Sequence, residues 1–217
     1  MVTPYKQTTV LVITEEKAMS MKKTILQRLG AGAVIALCAG IAHANVLVNP
    51  GFEDPAFTGA EAAGAGNGWT TFGDPNQFRI QGEPPIGPAG AYDGTVVLKV
   101  FGGVSGVSQD FSVGPNDIVT GLAWALNDSL DPLAGVQVAA VNLNWLSGGT
   151  PIGIVSFGST IDANTTQDVW TQIGVVGATV PEGADGVRLE LLTGAFGGTG
   201  GGATSALIRG TITEIQS

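Results

Sequence analysis

Beyond residue 44 the chain never runs far without a turn signal. Short stretches rich in Val, Ile, Thr and aromatic residues are each closed by breakers. Examples are Asn49-Pro50-Gly51, Gly82-Glu83-Pro84-Pro85, Gly114-Pro115-Asn116-Asp117 and Gly148-Gly149-Thr150-Pro151. Glycine and proline end regular structure, and runs this short suit strands better than helices. Many runs also alternate: in Val141-Asn142-Leu143-Asn144-Trp145 the apolar residues take one face and the asparagines the other. Eleven candidate strands follow, over 46–48, 70–72, 77–80, 95–100, 106–113, 118–126, 135–146, 153–159, 170–176, 186–192 and 206–215. No amphipathic helical period competes with them. The pattern predicts an all-β fold, an antiparallel two-sheet β-sandwich in a single domain over residues 45–217. Two glycine-rich stretches, 59–68 and 194–202, are expected to be flexible surface loops. Neither leads from a strand into a helix, as a phosphate cradle would.

The residues before 45 read as a leader. Met21, Lys22, Lys23 and Arg28 precede an apolar run over 31–42, which ends in Ala42-His43-Ala44. This is the order of a signal peptide, a signal-peptide helix over 21–44 with cleavage after Ala44. The run is shorter than the roughly 20 residues a membrane span needs. Residues 1–20 fit poorly ahead of such a leader and read as an upstream extension, with translation starting at Met21. The expected destination is the periplasm or the medium.

Export after Ala44 would strip much chemistry from the chain. His43 and Cys38, its only histidine and only cysteine, both lie in the leader. Histidine-based triads, thiol catalysis, disulfides and ordinary zinc sites are then excluded. A carboxylate pair could still hydrolyse glycosides, but no spacing among Glu53, Asp93, Asp110 and Glu190 selects one. The expectation is a binding protein, not an enzyme. Residues 45–217 carry four basic side chains, Arg79, Lys99, Arg188 and Arg209, against sixteen acidic ones, a formal charge of −12. Such a surface repels phosphate backbones, so neither nucleic acid nor anionic membrane is expected as partner.

Several motifs, taken in order, resemble the jelly-roll carbohydrate-binding modules of the galactose-binding-domain-like superfamily. They begin with Asn45-Val-Leu-Val-Asn-Pro-Gly-Phe-Glu53, Gly68-Trp69, and Tyr92-Asp93-Gly94 leading into Val97-Leu98-Lys99-Val100. They continue with Val107–Val113, Leu122-Ala-Trp-Ala-Leu126, Trp170, and Val180-Pro181-Glu182-Gly183-Ala184 before Val187–Leu191. The resemblance spans nearly all of 45–217. It implies a jelly roll, a glycan or polysaccharide partner, and a structural calcium held by Glu53 and a position near Asp93. Where the family usually places aspartate in the last strand this chain has Arg209 and Gly210, so Arg209 could instead pair with Glu53.

Sugar sites in such folds combine aromatic faces with amides and carboxylates that read hydroxyls. Trp69 and Trp170 read as core. Trp124 alternates with Leu122 and Leu126, and Trp145 with Val141 and Leu143, phases that also read as core. The candidate ligand-binding residues are Tyr92, Gln109, Trp124, Asn142 and Asn144; the candidate metal residues are Glu53 and Asp93. The leading expectation is a secreted, non-catalytic glycan binder. The alternative is a structural surface or matrix protein that self-associates, since residues 45–217 open directly on a strand able to extend a neighbour's sheet.

Overall fold

Among the described residues every regular element of the computed structural model is a strand, and every pairing is antiparallel. The strands are β1 (Glu61–Ala63), β2 (Thr70–Gly73), β3 (Gln77–Gln81), β4 (Val96–Val100), β5 (Ser105–Ser112), β6 (Ile118–Asn127), β7 (Val138–Ser147), β8 (Thr150–Asp162), β9 (Thr171–Thr179), β10 (Gly186–Gly194) and β11 (Ala206–Gln216). The structure describes residues 46–73, 77–81, 88–100, 103–194 and 206–216, with the backbone alone for β11 and, apart from Arg79, for β3. The leader and the upstream extension lie outside the described residues.

Two sheets form the expected jelly-roll sandwich. Sheet A runs β1-β3-β4-β11-β6-β9, and sheet B runs β8-β7-β10-β5-β2. One bridge, Ser159 to Gly174, joins β8 to β9 and makes the two sheets continuous at that side. The glycines there are required by close approach. A Cβ on Gly158 would lie 2.2 Å from the Gly174 carbonyl carbon, and one on Gly174 would lie 2.1 Å from the Gly121 carbonyl oxygen.

The core lies between the sheets. Sheet B contributes Val107, Val141, Leu143, Trp145, Val187, Leu189 and Leu191, all buried; sheet A contributes Val119, Ala123, Ala125, Ile173 and Val175. Trp145 is in the core, as its phase predicts, and its indole N–H donates to Ser156 Oγ at 3.1 Å. For β6 the sequence phase is inverted. Its small residues Gly121, Ala123 and Ala125 point inward, and its large ones, Leu122 and Trp124, point outward. The reason is volume. A Cβ on Gly121 would already sit 2.6 Å from Leu189 Cδ1 and 3.0 Å from Leu143 Cδ2, so the leucines of sheet B fill that space.

Two other expectations give way. Residues 46–48 are not a strand. Both main-chain polar groups of Val48 bond to the side chain of Gln109, so a carboxamide replaces the neighbouring strand. The stretch 59–68, expected to be a loose loop, contains β1, which pairs with β3, and the buried Ala65. Its glycines serve packing: a Cβ on Gly66 would fall 2.4 Å from the Asp54 carbonyl oxygen, and one on Gly68 would fall 2.7 Å from Val48 Cγ1. Of the stretch 194–202, residues 195–202 lie outside the described residues.

Candidate functional site

The family-like N-terminal motif folds into a structural knot. Asn49 Oδ1 accepts from Asp54 N–H, while Asn49 Nδ2 donates to the carbonyls of Asp54 and Asn67. The Trp69 indole donates to the Asn49 carbonyl at 2.9 Å, and its ring stacks on the fully buried Phe52, centroids 5.0 Å apart. Buried Arg79 closes the knot from β3, donating from Nη1 to the carbonyls of Phe52 and Pro55. These residues hold backbone in place, and none of them forms an open recognition surface.

The two candidate metal residues take part in similar bonding. Glu53 Oε1 accepts from Thr95 N–H at 2.8 Å and Val96 N–H at 3.0 Å, and its Oε2 bonds the Thr95 hydroxyl at 3.0 Å. Asp93 Oδ1 accepts from Gly94 N–H. Among the described residues no group of three or more His, Cys, Asp or Glu side chains could hold a metal ion. The partners seen at the Glu53 carboxylate are hydrogen-bond donors, an arrangement in which backbone amides take the place that the resemblance gives to a calcium ion. The side chain of Arg209, the expected partner of Glu53, lies outside the described residues; its backbone is in register with Trp124.

The five candidate ligand residues fall in three places. Gln109, buried, anchors Val48 as described. Tyr92 and Trp124 meet on the outer face of sheet A, stacked at 4.3 Å and 19°. Trp170 meets Tyr92 edge-on at 5.9 Å and donates its N–H to the Gly90 carbonyl. Trp170 also packs against Val97 and Leu126 with Ala89 and Ala91, a small apolar cluster separate from the core. This aromatic group fastens the segment around 89–92 to the sheet.

Asn142 and Asn144 lie on the opposite side of the molecule, on the outer face of sheet B. The register builds a row across all five strands of that sheet: Thr70, Ser108, Glu190, Asn142 and Phe157. Beside it runs Asp110, Arg188, Asn144 and Val155. Strands are about 4.8 Å apart, so the row extends about 19 Å. Two grooves occupy this face. One of about 640 Å³ is lined by Thr70, Phe72, Ser108, Asp110, Arg188 and Glu190 and walled by Val46 and Val48. The other, of about 350 Å³, lies over Val138, Ala140, Asn142, Phe157 and Thr160. Phe157 is 69% exposed, an unusual position for a phenyl ring on a strand.

The charged groups of this face are two carboxylates and one guanidinium, Asp110, Glu190 and Arg188. Arg188 Nε and Nη2 fork onto Asp110 Oδ1 and Oδ2 at 2.7 and 2.8 Å. The hydrogen bonds that the guanidinium donates to Asp110, with the charges of Asp110 and Glu190, hold its pKa above the ordinary value. Asn144 Nδ2 donates to Glu190 Oε1 at 3.3 Å. The side-chain oxygens of Asn142 and Asn144 are buried with no hydrogen-bond partner. Sequence reasoning reached the two asparagines but not Asp110, Arg188, Glu190, Ser108, Thr70, Phe72 or Phe157 as their neighbours. The alternation Val187-Arg188-Leu189-Glu190-Leu191 carried the signal for two of these, since it puts both charges on the face opposite the leucines.

No family model matches the sequence, and no curated protein does. Solved structures share the fold. A cyclase from Fischerella sp. TAU, crystallised with 4-(1H-indol-3-yl)butan-2-one, is 16% identical with a TM-score of 0.53, over 78% of this chain and 96% of its own. The enzymatically active domain of tailspike protein 4 from bacteriophage CBA120 is 13% identical with a TM-score of 0.47, and this chain, over 69% of its length, spans a fifth of it. The module TmCBM61, solved with β-1,4-galactotriose, is 16% identical with a TM-score of 0.49, over 79% of this chain and 99% of its own.

Proposed function

We propose that this protein is an exported glycan-binding module whose recognition surface is the outer face of sheet B. The observation that carries the reading is the row from Thr70 to Phe157. It aligns the Thr70 hydroxyl, the Glu190 carboxylate and the largely buried Ser108 and Asn142 with an exposed phenyl ring at one end, over about 19 Å of sheet face that carries two grooves. Ring hydroxyls would meet the polar groups, and the apolar face of a pyranose would stack on Phe157. Binding without turnover fits Asp110, whose two oxygens are both engaged by Arg188. Export rests on the leader pattern, and the mass of the protein recovered from periplasm or medium reads the cut site.

The test is a glycan array followed by titration calorimetry on the hits, with Phe157→Ala and Asn142→Ala beside the parent protein. Each substitution should weaken binding at least about tenfold, the cost expected of a central contact. Unchanged affinity in both variants would move the site elsewhere.

A second reading is self-association, and β8 favours it. From Thr150 to Ile161 it carries no charged residue, Ile154 and Phe157 are exposed, and its pairing with β9 is a single bridge. Uncharged edges invite strand addition from another copy. Size-exclusion chromatography with light scattering would show assemblies that Ile154→Lys disperses.

A further inference from the structure

We infer that the occupant of the sheet B face is a glycan free of anionic groups, recognised through the hydrogen bonds it donates. The inference rests on the glycan-binding reading and narrows its ligand class. Four basic residues follow Ala44, and three of them, Arg79, Lys99 and Arg209, belong to strands of sheet A. Arg188 is therefore the only cation that the strands of sheet B supply.

That cation is already engaged. Its fork onto Asp110 matches both carboxylate oxygens, and Glu190, one strand position away on the same face, adds a second negative charge. A bidentate pair of this kind is among the stronger charge-assisted contacts. Two carboxylates against one guanidinium leave the strip with a net charge of −1, within residues 45–217, whose formal charge is −12. A uronate or sulfate ester approaching it would meet like charge and find no free basic group.

The hydrogen-bond inventory points the same way. Beyond the Arg188 fork, the charged groups the face offers are acceptors only. The accessible acceptors are the carboxylates: Glu190 accepts a single long bond from Asn144, and Asp110 is half exposed beside Arg188, while the unpartnered oxygens of Asn142 and Asn144 lie buried beneath the face. The smaller groove, beside Phe157, is lined almost wholly by apolar surface and offers a charged group nothing to bind. A ligand completes such a face by supplying donors: hydroxyl hydrogens, or the hydrogens of a protonated amine. A carboxylate supplies none.

The experiment titrates the protein with three oligosaccharides of equal length: a neutral xylan or galactan fragment, deacetylated chitosan, and oligogalacturonate. The neutral and amine-bearing probes should bind, and the uronate should bind at least about tenfold more weakly than the better of them. Asp110→Ala, which releases the guanidinium and removes one negative charge, should raise uronate affinity about tenfold, with a gain that fades as salt is added. Uronate binding within threefold of the neutral probe in the parent protein overturns the inference while leaving the glycan-binding reading intact. So does an Asp110→Ala variant whose uronate affinity does not rise. Failure of the whole panel, and of a broad array, removes the glycan-binding reading and this inference with it.

Discussion

Replacing Glu53 by alanine should loosen the N-terminal knot from sheet A, and the size of the effect can be worked from its contacts. The carboxylate accepts from two backbone N–H groups at the start of β4, at 2.8 and 3.0 Å, and bonds the Thr95 hydroxyl at 3.0 Å. Hydrogen bonds to charged groups contribute about 1.5–3 kcal/mol each when buried. These bonds are exposed or only partly buried, so about 1 kcal/mol apiece is the better figure, giving a loss of about 3 kcal/mol. In a domain of this size that lowers Tm by about 6–12 °C. Glu53→Gln keeps one acceptor oxygen but loses the charge, and should fall between the two. Urea unfolding followed by tryptophan fluorescence measures all three proteins, each with calcium and with EDTA. A loss below about 0.5 kcal/mol for Glu53→Ala would refute the capping role. A parent protein that EDTA destabilises by as much as the substitution does would show that an ion, not the amides, is the carboxylate's partner.

Four further outcomes follow from the same geometry. Gly174→Ala should cost about 2–4 kcal/mol in chemical denaturation, because the residue has φ +141° and its Cβ would fall 2.1 Å from the Gly121 carbonyl oxygen. Trp145→Ala should cost about 3–5 kcal/mol as a core truncation, and Trp124→Ala clearly less; equal losses would contradict the inverted phase of β6. Asn142→Leu should leave Tm unchanged or raise it by removing a buried acceptor without a partner, while weakening glycan binding; a fall of several degrees would mean that its oxygen is satisfied in solution. Asp162 titrates below the ordinary aspartate value of 3.8, chiefly through the bond it accepts from the Asn164 backbone N–H. A depressed folded pKa stabilises the fold above the unfolded value and loses that stabilisation as pH falls through the folded one. Asp162→Asn should therefore lower stability at neutral pH and leave it little changed once the pH is below the folded value, so that the curve is flatter through the acid range.

The sequence by itself determined the strand pattern and the architecture. Dense breakers and period-two runs leave few alternatives to a sandwich, and ten of the eleven candidate strands overlap observed ones. It also placed Asn142 and Asn144 on a shared face, because alternation along one strand is a local property. What it could not supply was anything set by the opposite sheet. Trp124 reads as inward until Leu143 and Leu189 are seen to fill the space over Gly121. Gln109 reads from its strand as a polar ligand candidate; that its carboxamide also holds Val48, sixty-one residues earlier in the chain, is visible only in the fold, which sets it in the lining of the larger groove. The row from Thr70 to Phe157 draws its members from five strands that are mostly distant in sequence, and register alone aligns them. Local periodicity reports which face a side chain takes relative to its neighbours along the strand. Which face is buried, and what gathers on the other, is decided by volume and pairing across the sheets.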